Sequence, residues 1–197
     1  MEIRDKTFLE RGKRGVTYTG NLGGEQVLVK RCNPAADVDT IKHEAVMLQH
    51  LNKYGIGPRF VAYEDGQLVR EFVAGERIED FLGRATAAEA RSVMLQSLQQ
   101  CKKLDDVRVN KFEMTHPYKH ILVDKDGKVT MIDFERCKHS EKPKNVTQFC
   151  QYVARLQPLL AKSGLSIDGE QVKELGKQYK RRGYDEGVFK ALEEVFL

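Results

Sequence analysis

The sequence lacks most of the features that mark specialised classes of protein. It has no tryptophan, only five prolines, and four cysteines without a CxxC pair, so neither a zinc knuckle nor a disulfide framework is expected. No apolar run approaches the roughly 20 residues of a membrane-spanning helix. The N-terminal stretch has no apolar core followed by a small-residue cleavage site, so it does not resemble a secretory signal. We therefore expect a cytoplasmic protein whose thiols are free and mostly buried.

The composition is that of a globular protein. Hydrophobic residues make up 41% of the chain and charged residues 31%, which argues against both a disordered and a membrane protein. A chain of 197 residues is long enough to bury a real core, as one domain or as two closely packed lobes. The net charge of +4 is mild, and by itself it supports only weak attraction to anions such as nucleotides or RNA.

The first third of the chain has the pattern of an antiparallel sheet with one helix. Short apolar and β-branched runs, separated by glycine-containing turns, predict strands. A helix is expected after Asp39, which can cap it, and Gly55 and Pro58 are expected to end it. The five predicted strands span residues 8–11, 16–21, 26–32, 59–63 and 67–72, and the apolar helix positions are Ile41, Ala45, Leu48 and Leu51.

Two charged residues interrupt these apolar patterns. Lys30 ends an apolar β run, and period-two alternation directs Leu28 and Lys30 to one face of the sheet and Val27 and Val29 to the other. Glu44 lies at the edge of the apolar stripe of the helix, where a carboxylate is costly unless it finds a cation. Lys30 is the nearest candidate in sequence. The alternative interpretation of Glu44 is an ordinary solvated helix charge.

A tight turn joins the first two strands. It reads Gly12-Lys13-Arg14-Gly15. Its glycines allow a close approach of the backbone to a ligand, and its basic side chains could meet phosphate oxygens. A plain hairpin turn carrying solvated charges is the alternative.

From about residue 74 the pattern becomes mainly helical, and we interpret this change as the boundary between two lobes, residues 1–73 and 74–197. A capping box of Thr86 and Glu89 begins a long helix. Further helices are predicted at residues 146–160, 168–180 and 185–196.

A β-hairpin is predicted between these helices. Residues 121–123 and 129–132 are the strands, with Asp126-Gly127 as the turn. Asp133 follows at the end of the hairpin, where a rigid scaffold presents catalytic or metal-binding groups. An ordinary surface hairpin with a solvated aspartate is the alternative.

The C-terminal helices carry a run of basic residues. Such a run is most often a solvated face, although RNA or a partner protein could use it. The residues are Lys173, Lys177, Lys180, Arg181 and Arg182.

The order of these motifs resembles the protein-kinase fold. It is similar to the small atypical kinases of the Rio type and to the compact kinase of the KEOPS tRNA-modification complex, and most similar to short predicted serine/threonine protein kinases of archaeal type. The resemblance covers about residues 8–155, and the segment IKHEAVMLQHLNKYGIGPRFV is similar to their helix and the turn after it. It implies an α+β, compact bilobal protein-kinase-like fold. The N-lobe would have a five-stranded antiparallel sheet and one helix, and the C-lobe would be mainly helical with a β-hairpin.

The resemblance also implies a site for ATP and magnesium (Mg²⁺) between the lobes. Lys30 would hold the α- and β-phosphates and pair with Glu44, and Asp133 would bind Mg²⁺. Glu71 and Val73 would form the hinge that hydrogen-bonds adenine. Gly12 and Gly15 correspond to two of the three phosphate-loop glycines, with Lys13 between them, and the first glycine is missing.

The chain departs from the kinase pattern in its catalytic loop. The resemblance expects an aspartate and an asparagine where this sequence has Thr115 and His120. Threonine cannot accept a proton as a carboxylate does, and imidazole is a poorer Mg²⁺ ligand than an amide oxygen. Glu113 or His116 could replace the missing base, and both histidines could instead have structural roles.

Two further departures flank the nucleotide site. Glu135 stands where most kinases have glycine, as in several kinase-like small-molecule phosphotransferases. Arg70 replaces an apolar residue next to the hinge, where it could bind an acidic residue behind the pocket.

Three functions are therefore considered. The first is an atypical ATP-dependent serine/threonine protein kinase that acts on another protein or on itself. The second is a pseudokinase, a nucleotide-binding scaffold module without phosphotransfer, because of Thr115 and His120. The third is an RNA-linked role through the basic helix, by analogy of fold alone.

Overall fold

The chain has an α+β fold, as expected. The computed structural model describes all 197 residues, with a five-stranded antiparallel sheet and seven α-helices. None of the helices combines the length and the apolar character needed to cross a membrane. The strands are β1 (Arg4–Arg11), β2 (Gly15–Leu22), β3 (Glu25–Cys32), β4 (Phe60–Glu64), β5 (Gln67–Glu71), β6 (Glu76–Arg77), β7 (Val109–Asn110), β8 (Ile121–Val123), β9 (Val129–Met131) and β10 (Lys138–His139). The helices are α1 (Ile41–Asn52), α2 (Ile78–Leu82), α3 (Ala87–Asp106), α4 (Asn145–Arg155), α5 (Gln157–Lys162), α6 (Gly169–Arg181) and α7 (Glu186–Glu194).

The chain divides into two compact units. The first consists of residues 1–73 together with the short segment 132–136, and the second of residues 74–131 and 137–197. The segment 132–136 directly follows β9 in the chain but packs with the first unit.

The first unit contains the five-stranded sheet and α1. The strand order is β1-β2-β3-β5-β4, and all neighbours are antiparallel. Each of the five predicted strands is present, and β1 begins four residues before its predicted start. Val27, Val29 and Val69 form a buried cluster on one face of the sheet, which confirms the predicted alternation along β3.

The helix α1 follows its predicted amphipathic pattern. Its buried residues include the four predicted apolar positions and also Glu44. The N-cap residue is Thr40 rather than the expected Asp39. The Asp39 carboxylate nevertheless accepts a hydrogen bond from the Ile41 backbone N–H at 2.8 Å, which satisfies one of the free donors at the start of the helix. Gly55 follows the helix with a φ of 69°, a left-handed conformation that glycine adopts without strain.

The second unit contains the remaining helices and two small sheets. The capping box at the start of α3 is confirmed, because the Thr86 hydroxyl accepts from the Glu89 N–H while the Glu89 carboxylate accepts from the Thr86 N–H. The predicted hairpin is the antiparallel pair β8–β9. In its turn, the Asp124 carboxylate accepts from two backbone N–H groups, those of Asp126 and Lys128, at 2.9 Å each.

One predicted helix is wrong in extent. Residues 146–160 were expected to form a single helix, but the structure divides them into α4 and α5, with Leu156 between them. The reason is Pro158, which has no N–H to continue the helical hydrogen-bond ladder and is accommodated in the first turn of a new helix. The predicted inward stripe is nevertheless buried on both sides of the break, at Val146, Phe149, Cys150, Val153, Leu156 and Leu160.

Candidate functional site

A buried polar cluster of the first unit is built on Lys30 and Glu44. The Lys30 ammonium donates to the Glu44 carboxylate with an Nζ–Oε2 distance of 2.6 Å, and the two side chains are only 12% and 2% exposed. Strand β3 places Lys30 on the face opposite to Val27 and Val29, and α1 places Glu44 one turn after its start. The structure therefore brings together the lysine and the glutamate that the sequence analysis paired.

The segment 132–136 adds two carboxylates to this cluster. Phe134 is 1% exposed, and it lies against Gly57, where an added Cβ would stand only 2.8 Å from the phenyl ring. This anchor fixes the residues on either side of it. Lys30 Nζ donates to Asp133 Oδ1 at 3.1 Å and to Glu135 Oε2 at 3.4 Å.

The backbone of Asp133 has an unusual conformation. Its φ is 64°, in the left-handed region that residues other than glycine, asparagine and aspartate rarely occupy. Such a conformation costs free energy and persists where the surrounding packing imposes it, often at functional sites.

The charged groups of this cluster shift one another's pKa values. Burial by itself lowers the pKa of the Lys30 ammonium, but Glu44, Asp133 and Glu135 outweigh it, so that the pKa lies above its ordinary value. Burial raises the pKa of the Glu44 carboxyl, and Lys30 opposes that effect. The short Lys30–Glu44 distance is typical of a charge-assisted hydrogen bond between ionised groups. Lys30 is therefore a fixed cation at neutral pH.

Two arginines complete the cluster. Arg14 Nη1 donates to Glu135 Oε1 at 3.0 Å. Arg70 is buried; burial lowers the pKa of its guanidinium, and the electrostatic attraction of Glu44 and Asp133 opposes this. Its hydrogen bond goes to the Glu71 backbone carbonyl, at 2.9 Å, rather than to an acidic side chain.

The turn from Gly12 to Gly15 lies against Lys30. The Gly12 N–H donates to the Gly15 carbonyl at 2.8 Å, which closes the turn. A Cβ on Gly15 would stand 2.6 Å from Lys30 Cε, whereas one on Gly12 would meet nothing closer than 3.5 Å. Gly15 therefore leaves the space that the Lys30 side chain occupies.

The carboxylates of the cluster could hold a divalent cation. One oxygen from each of Glu44, Asp133 and Glu135 lies within 4.8 Å of the others, and such hard oxygen donors suit Mg²⁺. The Lys30 ammonium, however, contacts all three. The Asp133 side chain is 31% exposed, so it is the most accessible of the three carboxylates.

The predicted hinge residues lie at the end of β5. Glu71 pairs with Val27 of β3, and its carbonyl accepts from Arg70 Nη1 at 2.9 Å. The Glu71 carboxylate accepts from the Arg59 N–H at 3.0 Å. Val73, two residues later, is half-buried and ends the first stretch of this unit.

The residues proposed for catalysis lie in the second unit, in two 3-10 turns before β8. Glu113 is 8% exposed and pairs with the fully buried Lys111 at 3.4 Å. The Thr115 carbonyl accepts from the Arg155 guanidinium. His116, between the two turns, is exposed, and His120 follows the second turn half-buried.

The basic residues near the C-terminus are partly neutralised within α6. Lys173 pairs with Glu170, and Lys177 and Arg181 both pair with Glu174, at 3.8 and 3.6 Å. The helix surface is therefore a mixed charged face rather than a uniform basic stripe.

Two residues of the cluster were missed by sequence reasoning. The Asn33 amide donates to the Gly12 carbonyl at 2.8 Å, and its N–H donates to the Arg14 carbonyl at 2.8 Å, so Asn33 holds the turn in place. An asparagine between a strand and a proline is a signal for such a loop anchor. Thr40 Oγ1 donates to Glu135 Oε2 at 3.3 Å, and no sequence pattern joins these two positions.

No protein-family model matches the chain, and no curated protein matches it either.

Proposed function

We propose that this protein is an atypical, protein-kinase-like phosphotransferase that uses ATP and Mg²⁺ to phosphorylate a serine or threonine. The first unit would be its nucleotide-binding lobe. The observation that carries the proposal is the position of Lys30, held by Glu44 at 2.6 Å and within 3.1 Å of Asp133. A lysine fixed in this way is a preorganised cation for a polyphosphate.

Each residue of the cluster has a defined part in this proposal. Lys30 binds phosphate oxygens, and Glu44 keeps the lysine in place. Asp133 would hold Mg²⁺, which supplies neutralisation of phosphate charge when bound. Phosphoryl transfer depends mainly on positioning and charge neutralisation. The absence of a catalytic-loop aspartate at Thr115 is therefore compatible with slow transfer.

The exposed His116 is the more accessible of the two proposed bases. Glu113 is largely buried and paired with Lys111, so its carboxylate is not free to approach an acceptor hydroxyl. His116 is exposed to solvent, and an imidazole within reach of a hydroxyl can accept its proton.

Radiolabelled ATP tests the proposal. The protein is incubated with γ-labelled ATP and Mg²⁺, and label is measured in the protein, in a mixed protein acceptor and as free phosphate. Asp133→Asn should reduce transfer on the order of 100-fold, because asparagine tolerates the φ of 64° but does not carry the charge. The exposed Asp37→Asn is the charge-matched control. Equal label with wild type and Asp133→Asn would contradict the proposal.

A pseudokinase is the second candidate. It is favoured by the pairing of Glu113 with Lys111, which leaves the turn at residues 112–115 without an exposed carboxylate. In that case nucleotide would raise the melting temperature, since a ligand selective for the folded state stabilises it, but no ADP would form. Asp133-dependent formation of ADP would exclude this candidate.

A further inference from the structure

The carboxylate of Glu135 is bound by donors from three separate parts of the first unit. Its Oε1 accepts from Arg14 at 3.0 Å, and its Oε2 accepts from Lys30 at 3.4 Å and from the Thr40 hydroxyl at 3.3 Å. The side chain is only 13% exposed. Two cations and a hydroxyl that converge on two oxygens are also the donors that a phosphate group requires.

The ion-paired groups of the cluster carry no excess positive charge while Glu135 remains in place. They are two cations, Arg14 and Lys30, and three carboxylates, Glu44, Asp133 and Glu135. A polyphosphate that approaches them meets more formal negative than positive charge, and its oxygens have to compete with Glu135 for the same donors. Removal of the Glu135 carboxylate would remove the excess negative charge and leave these donors to the ligand.

We propose that Arg14, Lys30 and Thr40 form an oxoanion subsite, which Glu135 fills in the absence of ligand and leaves when a phosphate group binds. The subsite recognises a phosphate group through two cations and one hydroxyl. Glu135 thereby acts as an internal competitor that lowers affinity for free polyphosphates. The identification of that group with a phosphate of ATP rests on the proposed function, but the subsite itself does not.

Inorganic tripolyphosphate tests the subsite without nucleotide or chemistry. Its dissociation constant is measured by calorimetry in metal-free buffer for wild type, Glu135→Gln and Glu135→Ala, with circular dichroism to verify folding. Both variants should bind about tenfold more tightly than wild type, equivalent to about 1.4 kcal/mol. Adding Arg14→Gln to Glu135→Gln should abolish the gain. Glu10→Gln, an exposed residue of the same unit, makes the same charge change outside the subsite and should bind as wild type does.

The outcomes separate this inference from the proposed function. Unchanged or weaker binding by both folded Glu135 variants overturns the inference, as does an equal gain in Glu10→Gln or an absence of binding to every variant. If Asp133-dependent transfer from ATP is still observed, only the inference has failed. If tripolyphosphate binding behaves as expected while no ATP is consumed, the subsite stands and the proposed phosphotransferase does not.

Discussion

At the scale of single residues, the Lys30 cluster shows how a buried charge is made tolerable. Glu44 is 2% exposed, and an isolated buried carboxylate would be strongly unfavourable. Its compensation is Lys30 at 2.6 Å, with Arg70 as a second nearby cation. Breaking a buried pair by removal of one partner is more costly than replacing both, since the remaining charge keeps its desolvation penalty.

A double-mutant cycle tests this reasoning. Lys30→Met should lower the free energy of unfolding by about 3 kcal/mol, because Glu44 is left buried without its main partner. Lys30→Met combined with Glu44→Leu should lose less than Lys30→Met alone. Urea denaturation measures these two variants and the single Glu44→Leu variant. Lys42→Met, at an exposed position of α1, is the control. Strict additivity of the two single substitutions would show that the pair is not coupled.

Single contacts of the cluster also differ in whether they could be predicted from the sequence. The pairing of Lys30 with Glu44 was predictable, because a lysine on an apolar strand and a glutamate on an apolar helix stripe each require a partner. The contact of Arg14 with Glu135 joins residues 121 positions apart. It depends on how segment 132–136 packs through Phe134 and Gly57, and no local pattern encodes that packing.

At the scale of elements, the turn between β1 and β2 packs closely against strand β3. The Lys30 side chain passes over Gly15 so closely that a Cβ would stand 2.6 Å from its Cε. The atom in conflict is at the flexible end of the lysine, so an alanine at position 15 displaces the ammonium and leaves the sheet intact.

Alanine substitutions at the two glycines of this turn test whether its close packing positions Lys30. On the proposed function, Gly15→Ala should weaken Mg-ATP binding about tenfold or more, because Lys30 loses its position, and it should also lower the melting temperature, because the buried Glu44 loses its closest partner. Gly12→Ala should bind as wild type does, since its Cβ meets nothing closer than 3.5 Å. Titration with a fluorescent ATP analogue and thermal melts measure the two effects. Equal losses in both variants would show that the turn acts only through its flexibility.

Helices and strands whose apolar residues recur with a clear period were predicted well. Short strands that are defined only by pairing with another strand were not. The five strands of the first unit, α1 and α3 follow from alternation, helical spacing and caps. The two-residue strands β6, β7 and β10 were missed, because each is defined by a tertiary pairing rather than by its own sequence. The break before α5 could have been read from Pro158, whose effect on the helix ladder is local.

At the scale of the whole molecule, a buried charge of the second unit couples folding to pH. The Asp105 carboxylate is 2% exposed and joins the end of α3 to the start of α4. It accepts from the N–H and the side-chain amide of Asn145, at 3.0 and 2.7 Å, and from the Val146 N–H at 3.2 Å. Burial raises the pKa of Asp105 to about 6, and these hydrogen bonds only partly oppose the rise.

Asp105 should therefore make the protein less stable as the pH rises from about 4 to about 6. Between its unfolded pKa of 3.8 and its folded value of about 6, the folded state binds the proton more tightly, so the free energy of unfolding decreases with increasing pH. The contribution is at most about 3 kcal/mol.

Urea denaturation from pH 4 to 7 should show this decrease in wild type and in Asp126→Asn, an exposed control in the same unit. Asp105→Asn should be less stable throughout, because its amide cannot accept from Val146 as the carboxylate does, but it should lack this part of the pH dependence. A constant difference between wild type and Asp105→Asn across that range would mean that Asp105 is ionised throughout, with its hydrogen bonds outweighing its burial.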